Sequence, residues 1–254
     1  MRCTRRDFGS RLGLLLAGAS GGNVWARAAG RAGAPPSAAG QDTQHLPVTT
    51  YAKGSVEGQR AGADQIWAHL LAGNQRFVAG KPLPRELVQR REELVAGQHP
   101  QAIVLACSDS RVSPTLIFDQ NLGDLFVVRT AGNVADAVGL GSIEYAVAHL
   151  HIWLLVILGH EGCGAVEATA SGEKMPTANL AAVVSKIAPA VAKVRGQAQG
   201  EEFLRKAVEA NVYQGAADIL ANSPIVQREA AAKHLEIIKA LYSLKTGQVT
   251  RLAG

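Results

Sequence analysis

The sequence predicts a single α/β domain with a parallel-centred β-sheet flanked by helices. Apolar runs rich in branched side chains, at 102–106 and 152–158, have the length of buried strands. Amphipathic or alanine-rich stretches of helical length lie between and after these runs. The resulting order of strand, helix, strand, helix and strand is typical of parallel strands joined by crossover helices.

The predicted elements follow one another from residue 62. Ile66, Leu70 and Phe77 mark a helix over about 62–79, and a second helix covers about 85–96. The next elements are a strand at 102–107, a short helix opening at Ser113-Pro114, a strand at 125–129, a helix at 139–149 and a strand at 152–158. The remaining chain is predicted to form helices at 177–195, 201–221 and 225–234, a strand at 235–242 and a turn at 245–247.

Residues 1–28 have the features of an export signal. Thr4-Arg5-Arg6-Asp7-Phe8 resembles the twin-arginine motif, an apolar stretch follows at 12–19, and Ala26-Arg27-Ala28 fits a small-x-small cleavage site. The stretch is short for a transmembrane helix, which needs about 20 apolar residues. We therefore expect the twin-arginine translocation machinery to deliver a periplasmic or secreted protein that has no stable membrane insertion after cleavage. An uncleaved anchor or a basic N-terminal arm is the alternative.

The basic charge of the chain belongs to this N-terminal segment. The formal net charge is +5, but five arginines and one aspartate give residues 1–28 a charge of +4, which leaves about +1 for the rest. No basic stripe interleaved with aromatic residues follows, so the sequence argues against nucleic-acid binding. Residues 29–60 are rich in alanine, glycine and proline and are predicted to be a flexible arm or linker, which leaves 61–254 as the folded domain.

Three potential metal ligands follow the two predicted strands. Cys107 comes at the end of the first apolar run, and His160 and Cys163 follow the second. The carboxyl ends of parallel strands meet at one edge of a sheet, so these side chains are expected to converge. Each has an ordinary structural explanation by itself, since a lone cysteine is often a buried small hydrophobe. Together, two thiolates and one imidazole suit Zn²⁺, and three protein ligands leave the fourth position open, as in a catalytic site.

The same residues resemble the signature of the β-class carbonic anhydrases. Cys-x-Asp-x-Arg is followed about fifty residues later by His-x-x-Cys, and the resemblance extends from about residue 62 to the C-terminus. It includes the segments 107–112, 123–129, 131–133, 143–146 and 159–164. The resemblance implies a β-carbonic anhydrase-like fold and a lyase that reversibly hydrates carbon dioxide to bicarbonate and a proton. The nucleophile would be a hydroxide on one Zn²⁺ per chain, bound by Cys107, His160 and Cys163.

The resemblance also implies roles for residues around the metal. Asp109 would orient the attacking hydroxide, and Arg111 would hold Asp109 by an ion pair. If that pair breaks, Asp109 would become a fourth zinc ligand and close the site. The substrate-binding positions implied by the resemblance are Gln98, Phe126, Ala131 and Tyr145.

Assembly and proton transfer are less well defined by the sequence. The resembling proteins build each site at a subunit interface, so a homodimer is the smallest assembly expected, with Gln98 of one chain facing the zinc of its neighbour. No histidine stands out as a proton shuttle, although His99, His149 and His151 are candidates.

Two other functions stay open at this point. One is hydrolysis of a carbon dioxide analogue such as COS or CS₂ on the same scaffold, and the other is a non-catalytic zinc-binding protein with a closed four-ligand site.

Overall fold

The structure is a computed structural model that describes residues 56–253, with side chains from residue 62 onward. The described residues belong to one compact unit. The export signal predicted at 1–28, and the arm predicted at 29–60 up to residue 55, lie outside the described residues. Within the described residues, no helix combines the length and the apolar character that are needed to cross a membrane.

The sheet has five strands in the order β2-β1-β3-β4-β5. Strands β1 to β4 are mutually parallel, and β5 pairs antiparallel with β4. Their bounds are Ala102–Cys107 for β1, Leu125–Thr130 for β2, Leu154–His160 for β3, Glu236–Tyr242 for β4 and Val249–Arg251 for β5. The predicted α/β class with a parallel-centred sheet is therefore confirmed.

Eight helices surround this sheet in the described part of the chain. They are α1 (Val56–Val78), α2 (Leu87–Glu93), α3 (Pro114–Ile117), α4 (Ala137–His149), α5 (Gly164–Ser171), α6 (Ala178–Val194), α7 (Gly200–Asn222) and α8 (Pro224–Ala231). Helix α1 begins inside the segment predicted as an arm, at residue 56 and not at 62. Glycines at 58 and 62 weaken the helical signal there, which explains the late predicted start. The helix predicted at 85–96 is α2 followed by a 3₁₀ turn, Leu94–Ala96.

Strand β3 lies two residues later than the sequence predicts. It begins at Leu154 and not at Ile152, because the chain turns between α4 and β3 at His151, where φ is +54°. Ile152 is nevertheless buried, so its apolar character marks the core and not the strand. At the other end, the ladder with β4 continues to the pair His160 and Tyr242, so the predicted ligand His160 is itself the last strand residue.

Strand β5 was not predicted, and its shortness explains why. It has only three residues, of which the last two are exposed, so it shows neither an apolar run nor a clear alternation. Its antiparallel pairing to the end of β4 ties the C-terminus to the sheet. The helix predicted at 225–234 also ends early, at Ala231.

Both faces of the sheet are buried, as is usual where crossover helices join parallel strands. Val104 and Ala106 point to the face covered by α1 and α3, and Ile103 and Leu105 point to the face covered by α4, α7 and α8. Helix α7 approaches the end of β3 very closely. A Cβ atom on Gly159 would overlap Val212 Cγ2, so glycine lets this helix cross close to the strand that carries His160.

Candidate metal centre

Three side chains with metal-binding atoms converge at the carboxyl edge of the sheet. Cys107 is the last residue of β1, His160 is the last residue of the adjacent parallel strand β3, and Cys163 precedes the first turn of α5. Their ligand atoms all lie within 4.8 Å of one another, and all three residues are buried. Donor atoms around a tetrahedral zinc lie about 3.5–4 Å apart, given Zn–S near 2.3 Å and Zn–N near 2.0 Å. Small side-chain adjustments would therefore accommodate the ion.

The orientation of His160 fits a metal ligand. Its Nδ1 atom lies 2.9 Å from the carbonyl oxygen of Glu161, and a carbonyl can only accept, so Nδ1 carries the proton. The other ring nitrogen, Nε2, then has a free lone pair. This Nε2 is buried and has no hydrogen-bond partner among the described residues. A buried polar atom without a partner is destabilising by about 1–3 kcal/mol, and a metal ion bound to Nε2 would remove that cost.

The Cys107 sulfur is held by the turn that follows β2. The Gly132 N–H donates to Cys107 Sγ at 3.3 Å. Gly132 has φ +66°, a backbone conformation that favours glycine, and a Cβ atom there would lie 2.6 Å from Ile187 Cδ1 and would force that side chain to shift. Gly132 was not among the predicted site residues, because the sequence shows only a glycine shortly after a strand.

The two thiols compete for one proton. Their mutual hydrogen bond holds the pKa of Cys107 at about 4 despite the opposing effect of burial, and the N–H of Gly132 acts in the same direction. The same hydrogen bond, with burial, raises the pKa of Cys163 above its ordinary value. Burial lowers the pKa of His160, but the Cys107 thiolate outweighs that effect and raises it overall. A divalent cation bound by both sulfurs would replace the shared proton and stabilise two thiolates.

Asp109 and Arg111 form a bidentate ion pair beside this cluster. Arg111 donates from Nε to Asp109 Oδ1 at 3.0 Å and from Nη2 to Oδ2 at 2.8 Å, and its backbone N–H also donates to Oδ1 at 2.9 Å. These contacts hold the pKa of Asp109 well below its ordinary value. Among the described residues, the cluster consists of Cys107, His160 and Cys163, and the Asp109 carboxylate is paired with Arg111 instead. The predicted pair is therefore formed, with Asp109 turned toward Arg111.

The predicted substrate-binding residues do not all lie near the cluster within one chain. Ala131 does, since it follows Thr130, which pairs with Cys107. Phe126 pairs with Ile103, four residues earlier on β2, and so lies about 13 Å from that end of the sheet. Tyr145 accompanies Phe126, with ring centroids 6.3 Å apart.

Gln98 and the three candidate proton-shuttle histidines lie at the opposite end of the strands from the metal ligands. Gln98 and His99 precede β1, and His149 and His151 precede β3, so all four come before the amino ends of strands whose carboxyl ends carry the ligands. The strand length alone separates them from the ligands by about 17 Å or more. No single chain can therefore bring any of these four side chains to its own metal cluster.

Comparisons with known proteins agree with this geometry. The family model described as carbonic anhydrase matches residues 102–249, which include all three ligands, Asp109 and Arg111. Carbonic anhydrase 2 of Mycobacterium tuberculosis is 41% identical over 186 residues, which cover 72% of this chain and 89% of that protein. A carbonic anhydrase of Mycolicibacterium smegmatis is also 41% identical, over 189 residues that cover 72% and 90% of the two chains.

Solved structures show the same relationship. The β-carbonic anhydrase CcaA superposes with a TM-score of 0.59 at 27% identity, covering 75% of this chain and 89% of that one. Tetrameric β-carbonic anhydrases from Sordaria macrospora give a TM-score of 0.60 at 25% identity, covering 75% and 98%. A family match over more than half of the chain, together with relatives of this identity, establishes the assignment: the chain belongs to the β-class carbonic anhydrases, the enzymes that reversibly hydrate carbon dioxide.

Proposed function

We propose that this enzyme hydrates carbon dioxide with one zinc ion held by Cys107, His160 and Cys163. The observation that carries the proposal is the buried cluster of two thiols and an unpartnered imidazole nitrogen, which matches the ligand preference of zinc. When bound there, zinc lowers the pKa of a coordinated water and so supplies a hydroxide nucleophile. The two thiolates neutralise the charge of the ion, so we expect that acidification to be moderate and the activity to rise toward alkaline pH.

Asp109 is the residue that we propose orients the nucleophile. Oδ1 already accepts two hydrogen bonds, from the backbone N–H and Nε of Arg111, whereas Oδ2 accepts one. Oδ2 therefore keeps a lone pair that can accept the hydrogen of the attacking hydroxyl group and direct its oxygen toward the carbon. Arg111 keeps the carboxylate ionised and away from the metal position.

This arrangement argues against a closed zinc-storage site. Storage requires four protein ligands, but the cluster in the described part of the chain offers three. The Asp109 carboxylate is engaged by an arginine that a storage site would not need. No observation favours COS or CS₂ over carbon dioxide.

We further propose that a second copy of the chain completes each site. Gln98, Phe126 and Tyr145 cannot reach the cluster of their own chain, so a partner must bring them if they bind substrate. Strand β2 is an edge of the sheet, and a groove of about 350 Å³ runs beside it, lined in part by Phe126 and by Val138, which is 77% exposed. Such an edge with exposed apolar residues is suited to association. The tetrameric Sordaria macrospora relatives support an oligomer.

Mixing two defective variants is expected to restore activity if each site is shared between chains. Gln98→Ala and Asp109→Asn should each be slow alone, because each damages every site. In a two-fold dimer, exchange of subunits gives hybrids with one intact site, which corresponds to about a quarter of wild-type activity in the mixture.

Activity and light scattering are measured before and after subunit exchange. Asp109→Asn mixed with Arg111→Ala serves as the control and should not recover, since both lie on the metal side. A fully active monomer, or no recovery in the first mixture, would contradict the shared site.

We also propose that residues 1–28 direct export by the twin-arginine route. This route is associated with folded substrates, so zinc bound in the reducing cytosol would protect Cys107 and Cys163 from forming a disulfide in an oxidising compartment. Replacing Arg5 and Arg6 with lysine is expected to leave the uncleaved protein in the cytoplasm, as measured by fractionation and N-terminal mass. The charge-matched control replaces Arg2 and Arg11 with lysine and should export normally. Unchanged periplasmic yield after the first replacement would rule the route out.

A further inference from the structure

Arg129 holds the loop that carries Asp109, and its hydrogen bonds go to main-chain oxygens of that loop. It lies on β2, where it pairs in register with Ala106. Its Nε donates to the carbonyl oxygen of Cys107 at 3.0 Å, and its Nη2 donates to the carbonyl oxygen of Asp109 at 2.7 Å. One guanidinium group therefore bridges the backbone of a metal ligand and the backbone of the proposed orienting residue.

Two further backbone hydrogen bonds hold the same loop. The Ser108 N–H donates to the Thr130 carbonyl at 2.9 Å, and the Val112 N–H donates to the Asp109 carbonyl at 2.9 Å. Arg129 and Thr130, the last two residues of β2, thus both hold the backbone of this loop. Because the donors of arginine form a rigid planar fork, Arg129 fixes the separation and direction of the two carbonyl groups as well as their contacts.

Arg111 and Arg129 hold different atoms of the site. The Arg111 side chain fixes the rotamer of the Asp109 carboxylate, and the Gly132 backbone N–H holds the Cys107 sulfur, so both contacts act on side-chain atoms of the site. Arg129 acts only on the main chain. From this division we infer that Arg129 is a positioning residue for the reaction, one that sets where the Asp109 carboxylate lies relative to Cys107. The inference rests on the orienting role proposed above for Asp109.

A positioning role predicts a specific kinetic pattern for Arg129→Ala. A misplacement of about 1 Å in a catalytic group costs about 10²-fold in rate, so kcat should fall by that order while KM changes little. The three metal ligands stay in place, so the zinc content and the rate of zinc transfer to a chelating dye should stay near wild type. Arg129→Lys keeps the charge but lacks the fork, so it should recover little of the lost rate.

The decisive test combines Arg129→Ala with Asp109→Asn. The asparagine keeps the backbone carbonyl that Arg129 contacts, so general damage to the fold would still slow the double variant. If Arg129 acts through the carboxylate, the double variant should be no more than about twofold slower than Asp109→Asn alone, within the usual scatter of additive effects. Arg195→Ala is the matched control, because Arg195 is also an exposed arginine that donates to a backbone carbonyl, that of Ala170, and it should keep full activity.

Results of three kinds would overturn the inference. One is a double variant that is slower by the full product of the single effects, with Asp109→Asn itself slow; this outcome leaves the role of Asp109 intact. The second kind concerns Arg129 itself. Rapid zinc loss from Arg129→Ala would mean that Arg129 affects the rate through the metal, and full activity in Arg129→Lys would mean that the fork is unnecessary. The third is a wild-type rate in Asp109→Asn alone, which would remove the proposed role of Asp109 and this inference with it.

Discussion

Replacing Cys163 with alanine is expected to remove zinc and to reduce carbon dioxide hydration to the uncatalysed rate. The substitution deletes one of three donor atoms and leaves the other two on separate strands, with only one thiolate to balance the ion. Disturbing the residues that merely support a metal ligand typically costs 10–100-fold in metal affinity, and losing a ligand should cost about 100-fold or more. Metal analysis and stopped-flow kinetics on the same sample check both parts of the prediction.

Val166→Ala is the matched control for that variant. Val166 lies one turn further along α5, is as deeply buried and belongs to the same apolar cluster as Cys163. Truncating it should lower the free energy of unfolding by about 0.5–3 kcal/mol without touching the ligand set. It should therefore keep its zinc and most of its activity. Full zinc occupancy in Cys163→Ala would disprove the ligand assignment.

Arg111→Ala is expected to retain zinc and yet lose most of its activity. Without Arg111, three hydrogen-bond contacts of Asp109 are reduced to one from the backbone, and the carboxylate becomes free to turn toward the metal position. Asp109→Asn should also be slow, by about 10²-fold or more, but for a different reason, because a neutral amide orients the nucleophile poorly. Zinc content and pH–rate profiles of both variants are the measurements.

The double variant distinguishes the two causes. Asn is a weaker metal ligand than Asp, so Asp109→Asn in the Arg111→Ala background should reopen the site and bring the rate up to that of Asp109→Asn alone. Arg205→Ala removes a comparable bidentate pair, with Glu202, from the surface of α7 and should leave the rate unchanged. Near-wild-type rates in both single variants would reduce Asp109 and Arg111 to a structural ion pair and favour zinc storage.

The pH dependence should not arise from Asp109. Arg111 holds the pKa of this carboxyl well below its ordinary value, so Asp109 stays ionised at every pH above its unfolded pKa of about 4. Any stabilising effect of the pair is complete above that pH and is lost only as pH falls further, through the lower folded-state pKa. The expected alkaline rise in activity therefore reports the nucleophile.

The sequence was sufficient to predict the convergence of the ligands. Cys107 and His160 follow short apolar runs that are typical of buried strands, and parallel strands present their carboxyl ends at one edge. That local pattern needs no knowledge of the rest of the chain. The predicted bounds of β3 were two residues too early. Ile152 is buried and apolar like the strand residues, although it lies before the strand begins.

Contacts that join distant segments could not be predicted in this way. Arg129 is 20 residues from Asp109, and only the strand register shows that its guanidinium reaches the loop. Nor does any sequence pattern show that Gln98 lies at the opposite edge from Cys107, since a motif records the order of residues and not the length of the strand between them. The resemblance implied that Gln98 of one chain faces the zinc of its neighbour, and a site shared between two chains stays a prediction.

The most direct test of the central claim compares zinc content with the stopped-flow rate of carbon dioxide hydration on the same samples. These are the wild-type protein as purified, after chelation and after readdition of zinc, together with Cys163→Ala treated in the same way. We predict that the rate follows the zinc content, disappears on chelation and returns on readdition in the wild type but not in the variant. Wild-type hydration by zinc-free protein, or zinc-dependent recovery in Cys163→Ala, would contradict a reaction at Cys107, His160 and Cys163.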